Sequence, residues 1–171
     1  EQFEAKTRQA AAESGRDPLA LGLARKARQQ RLEFCVKEFT FRRKHHPTDM
    51  KLALQLGQYY FDLGGAENIP KAIQEFQQAA SSPSLKVRAQ YMLGRCFATD
   101  TKTLDMAKGQ FTQALEALSD PGSDLAKNLM YEIGTTEEQR DNADEALTWY
   151  KKIFVMDAGF RDVTKKIQQL G

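Results

Sequence analysis

Apolar residues recur at helical spacing along most of this chain, in segments divided by short stretches rich in polar residues, glycine and proline. Three stretches share one design. LALQLGQYYFDLG (52–64) is followed by KAIQEFQQAA (71–80), AQYMLGRCFA (89–98) by MAKGQFTQAL (106–115), and NLMYEIGTTEEQ (128–139) by EALTWYKKIF (145–154). The first member of each pair carries an apolar residue and then glycine: Leu56-Gly57, Leu93-Gly94, Ile133-Gly134. The second carries alanine and, four residues on, an aromatic: Ala72/Phe76, Ala107/Phe111, Ala146/Tyr150. Residues four apart share a helix face, so each alanine and aromatic lie one above the other. The pattern predicts three helical hairpins, each leaving an apolar face that the next one buries.

A glycine inside a helix costs about 1 kcal/mol relative to alanine. Its return at one position in all three copies points to close approach at a helix crossing, with the aromatic filling the space between hairpins. After a turn at Asp157-Ala158-Gly159, Phe160, Val163, Ile167 and Leu170 follow helical spacing, with Lys165, Lys166, Gln168 and Gln169 expected outward. One apolar side and one polar side suit a helix that ends an array.

Residues 1–47 are less regular. Asp17-Pro18 reads as an N-cap followed by proline in the first turn. Nothing then breaks a helix until Pro47, and Leu21, Arg25, Arg28, Leu32, Cys35, Phe39 and Arg42 mark one side of it, with Phe34 and Val36 nearby. A shorter helix over roughly 2–14 could pair with it as a leading hairpin. The other reading is a long helix that docks on a second chain.

These stretches resemble tetratricopeptide (TPR) repeats, a family with an L-G…Y…A…F…A…P pattern on helix–turn–helix units. The likeness covers residues 48–157, with repeats at about 48–82, 83–120 and 121–157, and a capping helix at 158–171. The aromatics are spaced by 35 and then 39 residues, longer than the family repeat, and the extra length falls in GGAENIP (64–70), TDTKT (99–103) and SDPGSD (119–124). The aromatic that the family places on the first helix is Tyr60, then Phe97, then Glu137, so the third first helix departs from the pattern. The resemblance implies an all-α, right-handed α-solenoid of antiparallel helix pairs.

It also implies a concave groove lined by the first helix of each pair. Helical projection places Lys51, Leu54, Gln55 and Gln58 there from the first copy, Arg88, Tyr91, Met92 and Arg95 from the second, and Asn128, Tyr131, Glu132 and Thr135 from the third. The basic and aromatic middle suits a protein or peptide ligand with an acidic group and an apolar side chain. Some TPR domains clamp acidic C-terminal tails with Lys, Asn and Arg. Leu54, Gln58 and Met92 stand where three of those residues would be, so no such clamp is expected.

Composition adds limits. Charged residues are 28% and apolar residues 41%, ordinary for a globular protein, and the net charge of +2 argues for neither nucleic acid nor membrane. Residues 1–47 hold eleven Lys/Arg against six Asp/Glu, leaving the remainder net negative. No apolar run is long enough to span a bilayer. The chain opens at Glu1 without an initiator methionine, as an excised domain would.

No catalytic, metal or cofactor constellation is evident. Cys35 and Cys96 form no CxxC pair and are expected to be buried thiols, compatible with a reducing, cytoplasmic setting. His45 and His46 are adjacent and point about 100° apart on a helix, so they do not converge on one ion. Glu137, Glu138, Asp141, Asp144 and Glu145 read as a solvated turn and helix start rather than a carboxylate pair for acid–base work. The expected function is a scaffold or adaptor that binds a peptide or protein surface. The alternatives are a structural or self-assembly domain of a larger protein, and a regulatory domain of an enzyme whose catalytic part lies outside this sequence.

Overall fold

The computed structural model describes residues 18–171. Among them are eight α-helices and no strand: α1 (Pro18–His45), α2 (Met50–Leu63), α3 (Asn68–Ala79), α4 (Lys86–Phe97), α5 (Leu104–Glu116), α6 (Asp124–Gln139), α7 (Ala143–Met156) and α8 (Val163–Leu170). A single 3-10 turn, Thr101–Thr103, leads into α5. The expected helix over 2–14 and the Asp17 cap lie outside the described residues.

Local chemistry sets the boundaries. Asp49 caps α2, its Oδ1 accepting from the backbone N–H of Lys51 at 2.9 Å and of Leu52 at 3.3 Å. Ser123 caps α6 through its Oγ, 3.2 Å from the Ala126 nitrogen. The helix α2 stops at Gly64, which with Gly65 takes positive φ (66° and 82°), a conformation that favours glycine. Pro70 sits in the first turn of α3, where no N–H is needed.

The helices pack in chain order as antiparallel pairs: α2 with α3, α4 with α5, α6 with α7, each pair stacking on the next, with α1 on α2 and α8 on α7. Ala72/Phe76, Ala107/Phe111 and Ala146/Tyr150 are all wholly buried, as are Ala79 and Ala114. Each aromatic lies against the glycine of its own pair. A Cβ at Gly57 would fall 2.7 Å from Phe76 Cε1, and one at Gly134 would fall 2.8 Å from Tyr150 Cε1. At Gly94 the Phe111 ring is at least as close. The glycine therefore makes room for a ring within one hairpin, not for a second backbone. Burying each ring stabilises the array by roughly 1.5–3 kcal/mol.

At the start of the array, α1 packs through Leu32, Val36 and Phe39, and Phe39 meets Tyr59 edge-on at 4.9 Å between centroids. Arg43, not Arg42, belongs to this face. It is 9% exposed, its Nε is 3.2 Å from Glu75 Oε2, and it also donates to Gln78 and the carbonyls of His46 and Pro47. Arg42 pairs with Glu38 at the surface. Phe34, expected near the packing side, is on the opposite face and 68% exposed. Cys96 is buried, whereas Cys35 is only half-buried.

In α8, Val163 is fully buried and Phe160, Ile167 and Leu170 are partly so. Lys165, Gln168 and Gln169 face outward, but Lys166 turns inward and pairs with Glu138 at 2.7 Å.

The acidic cluster differs most from expectation. Glu137 is not solvated: it is wholly buried, 2.8 Å from Lys108 Nζ of α5, 2.8 Å from Arg140 Nη1, and accepts from Asn142 Nδ2 at 2.7 Å. Lys108 also reaches Glu145 at 2.7 Å, and Arg140 pairs with Asp105. Burial alone would raise the Glu137 pKa. Hydrogen bonds from Lys108 and Asn142, with the charges of Lys108 and Arg140, outweigh it and hold the carboxyl below its ordinary range. The carboxylate thus replaces an aromatic as the joint between the second and third hairpins.

Candidate concave binding site

A concavity of about 370 Å³ opens between α2 and α4. It is lined by Lys51, Leu54, Gln55, Gln58, Tyr59, Leu85 and Arg88. Five of these are residues that helical projection assigned to the groove. Lys51, Gln55 and Arg88 are exposed, Gln58 is half-buried and donates to Asp62 at 3.0 Å, and Leu54 forms part of the buried floor. Sequence projection missed Tyr59 and Leu85. Tyr59 is held in place from α1, where it meets the Phe39 ring. Leu85 precedes α4 and so lay outside the projected helix.

Charge distinguishes this part of the groove. Neither Lys51 nor Arg88 has a carboxylate partner among the described residues. Farther along, Arg95 lies over the Phe61 ring at 4.7 Å and near Tyr91 at 5.9 Å, its charge likewise unneutralised. Met92 is 4% exposed and belongs to the core around Ala53 and Phe76, so it offers the groove almost no surface.

The third-copy residues are brought together but are engaged internally. Arg161, just before α8, adopts positive φ (47°) and lays its guanidinium over the Tyr131 ring at 4.4 Å. It donates to Asn128 Oδ1 and lies 3.6 Å from Glu132 Oε1. The Tyr91 hydroxyl donates to the same Glu132 oxygen at 3.4 Å, and the Tyr131 hydroxyl donates to Asp162 at 2.6 Å. Thr135 donates to the Tyr131 carbonyl at 3.0 Å and lies 3.2 Å from the Tyr150 hydroxyl. Burial and the bond to Asp162 push the Tyr131 phenol up to about 12, and burial with the nearby Glu132 raises that of Tyr91, so both stay neutral near pH 7. The groove therefore has an open basic half at α2 and α4 and a half at α6 that the chain itself fills.

Among the described residues, no three His, Cys, Asp or Glu side chains are grouped as a metal site would require. His45 and His46 are exposed at the end of α1, with His45 Nδ1 2.9 Å from the Phe41 carbonyl oxygen.

The chain is similar to a crystal structure of MamA at 19% identity and a TM-score of 0.68, over 85% of this chain and 80% of that one. A second MamA crystal structure matches at 19% identity and 0.68, covering 86% and 75%. TTC0263, described as a thermophilic TPR protein in Thermus thermophilus, matches at 18% identity and 0.65, covering 96% and 86%. The chain has the TPR-like fold. No protein-family model matches the sequence, and no curated protein matches it significantly. At these identities the likeness establishes the TPR-like fold alone. No described helix of this array is long and apolar enough to cross a membrane.

Proposed function

We propose that this chain is a protein-interaction module, a scaffold or adaptor, which binds a peptide segment in the open half of its concave groove. One observation carries the reading: the concavity between α2 and α4 gathers Lys51 and Arg88, both without a carboxylate partner among the described residues, above a floor of Leu54, Leu85 and Tyr59. Two cations beside an apolar surface suit a peptide with an acidic group and an apolar side chain, the ion pairs setting orientation and the apolar contact supplying most of the affinity. Gln55 and Gln58 offer amides to the peptide backbone. No step of catalysis is assigned to any residue.

Affinity capture from the native lysate, comparing wild type with Lys51→Glu/Arg88→Glu, tests this. The expected result is a protein retained by wild type and lost from the variant, at unchanged helical content. Equal retention by both removes the groove from the binding mechanism. Recovery of this chain alone would move the reading to self-assembly.

A further inference from the structure

A solenoid that ends in water needs a polar outer face. The helix α8 supplies one at its end of the array, with Thr164, Lys165, Gln168 and Gln169 exposed. At the other end of the described residues, α1 does not. Leu23 is 62% exposed, Phe34 68% and Phe41 62%. Their separations of eleven and seven residues place them within about 20° of one line along the helix, on the side opposite Leu32, Phe39 and Arg43. His45 leans on the end of this seam, its ring 4.2 Å from that of Phe41. Two exposed phenylalanines on one stripe are unusual for a surface that meets only water.

Cations flank the seam. Lys26, Lys37 and Lys44 run along one border, and none pairs with a carboxylate among the described residues. The helix carries eight Lys/Arg against two Glu, a net +6. We propose that the outer face of α1 docks an acidic amphipathic helix of a partner protein, with apolar residues in the Leu23–Phe34–Phe41 seam and carboxylates opposite Lys26, Lys37 and Lys44. This surface is separate from the concave groove.

Three alternatives fit less well. A second copy would bring one +6 helix against another, and like charges across a seam oppose pairing. A bilayer wants a broad apolar face, whereas this seam is one residue wide, interrupted by Gln30 and bordered by lysines. Residues 1–17 hold one large apolar side chain, Phe3, too little to cover three. The heptad-like spacing is that of a helix seam.

The test uses the full chain and a fluorescein-labelled helical peptide of about 18 residues, with leucines at heptad spacing and glutamates beside them, read by anisotropy. Wild type should bind it at least tenfold more tightly than the same peptide with lysines replacing the glutamates. Raising NaCl from about 0.05 M to about 0.5 M should weaken binding. Phe34→Asp/Phe41→Asp and, independently, Lys37→Glu/Lys44→Glu should each weaken it at least tenfold, with circular dichroism unchanged, while Lys51→Glu/Arg88→Glu should not. The proposal is overturned by equal binding of the two peptides or by full affinity in the Phe34/Phe41 variant. Loss only in the Lys51/Arg88 variant also overturns it and points to the groove. So does a wild-type dimer in sedimentation that Phe34→Asp/Phe41→Asp splits. Wild-type binding to phosphatidylglycerol/phosphatidylcholine vesicles that the same variant abolishes would assign the seam to a membrane instead.

Discussion

The wholly buried carboxylate of Glu137 on α6 lies 2.8 Å from the ammonium of Lys108 on α5. This pair, with Arg140 and Asn142, closes the gap that an aromatic fills in the earlier repeats. Glu137→Ala removes a buried anion and leaves the Lys108 and Arg140 cations facing each other across the gap. Both cations keep access to solvent and to Glu145 or Asp105, which limits the loss. Urea unfolding should show destabilisation of about 2 kcal/mol. A change below about 0.5 kcal/mol would remove the pair from the account of the fold.

The same carboxyl gives a pH signature. Its folded pKa lies below the unfolded value. Its contribution is therefore fully present above the unfolded carboxylate range, about pH 4.3, and is lost as pH falls through the folded value. Glu137→Gln has no such proton to gain. Its stability should decline less steeply than that of wild type between about pH 4.5 and pH 3, measured by denaturant melts at each pH. Parallel acid limbs would contradict the assignment.

Two glycines make opposite predictions. A Cβ at Gly94 would press into the Phe111 ring, so Gly94→Ala should cost about 1–3 kcal/mol. Gly109, in the interior of α5, has open space where its Cβ would stand, and Gly109→Ala should gain about 1 kcal/mol from helix propensity. The melting temperatures should move in opposite directions. Equal shifts would break the link between the repeated glycines and the rings they face.

Arg161 separates contact from conformation. Its backbone is left-handed, which a residue with a Cβ adopts at a cost of about 1 kcal/mol or more. Its guanidinium packs on Tyr131 and bonds to Asn128. Both Arg161→Ala and Arg161→Gly lose those contacts, but only glycine relieves the backbone. Arg161→Gly should therefore be more stable than Arg161→Ala by about 1 kcal/mol in chemical denaturation.

The two thiols should react differently. Burial pushes the Cys96 thiol up to about 12, while Cys35 is half-buried. In native protein near pH 8, a disulfide reagent should modify Cys35 well before Cys96, which should react only on unfolding. Equal rates would mean that α4 opens on the timescale of the assay.

Much of the array was legible because its determinants are local. The helical spacing and the Leu-Gly and Ala…aromatic steps each depend on residues within about one or two helical turns. Half of the groove was legible for the same reason, since the face of α2 and α4 follows from helical projection. The rest depended on distant neighbours. Glu137 looked like part of a solvated acidic turn because Lys108 belongs to the preceding hairpin. Asn128, Tyr131 and Glu132 looked open because Arg161, which covers them, arrives from a loop about thirty residues downstream. The sequence puts Arg42 on the packing side, with Phe34 near it, because α1 is apolar on two faces and its periodicity alone cannot say which one meets α2.

The sequence by itself determined the hairpins and their repetition, since hydrogen bonding along a helix and the fit of a ring over a glycine are short-range and recur wherever the motif recurs. Only the tertiary structure decided which charges are buried, which half of the groove stays open and which face of α1 is left bare. Those outcomes come from desolvation and pairing between groups far apart in sequence, whose energies exist only once the hairpins have stacked.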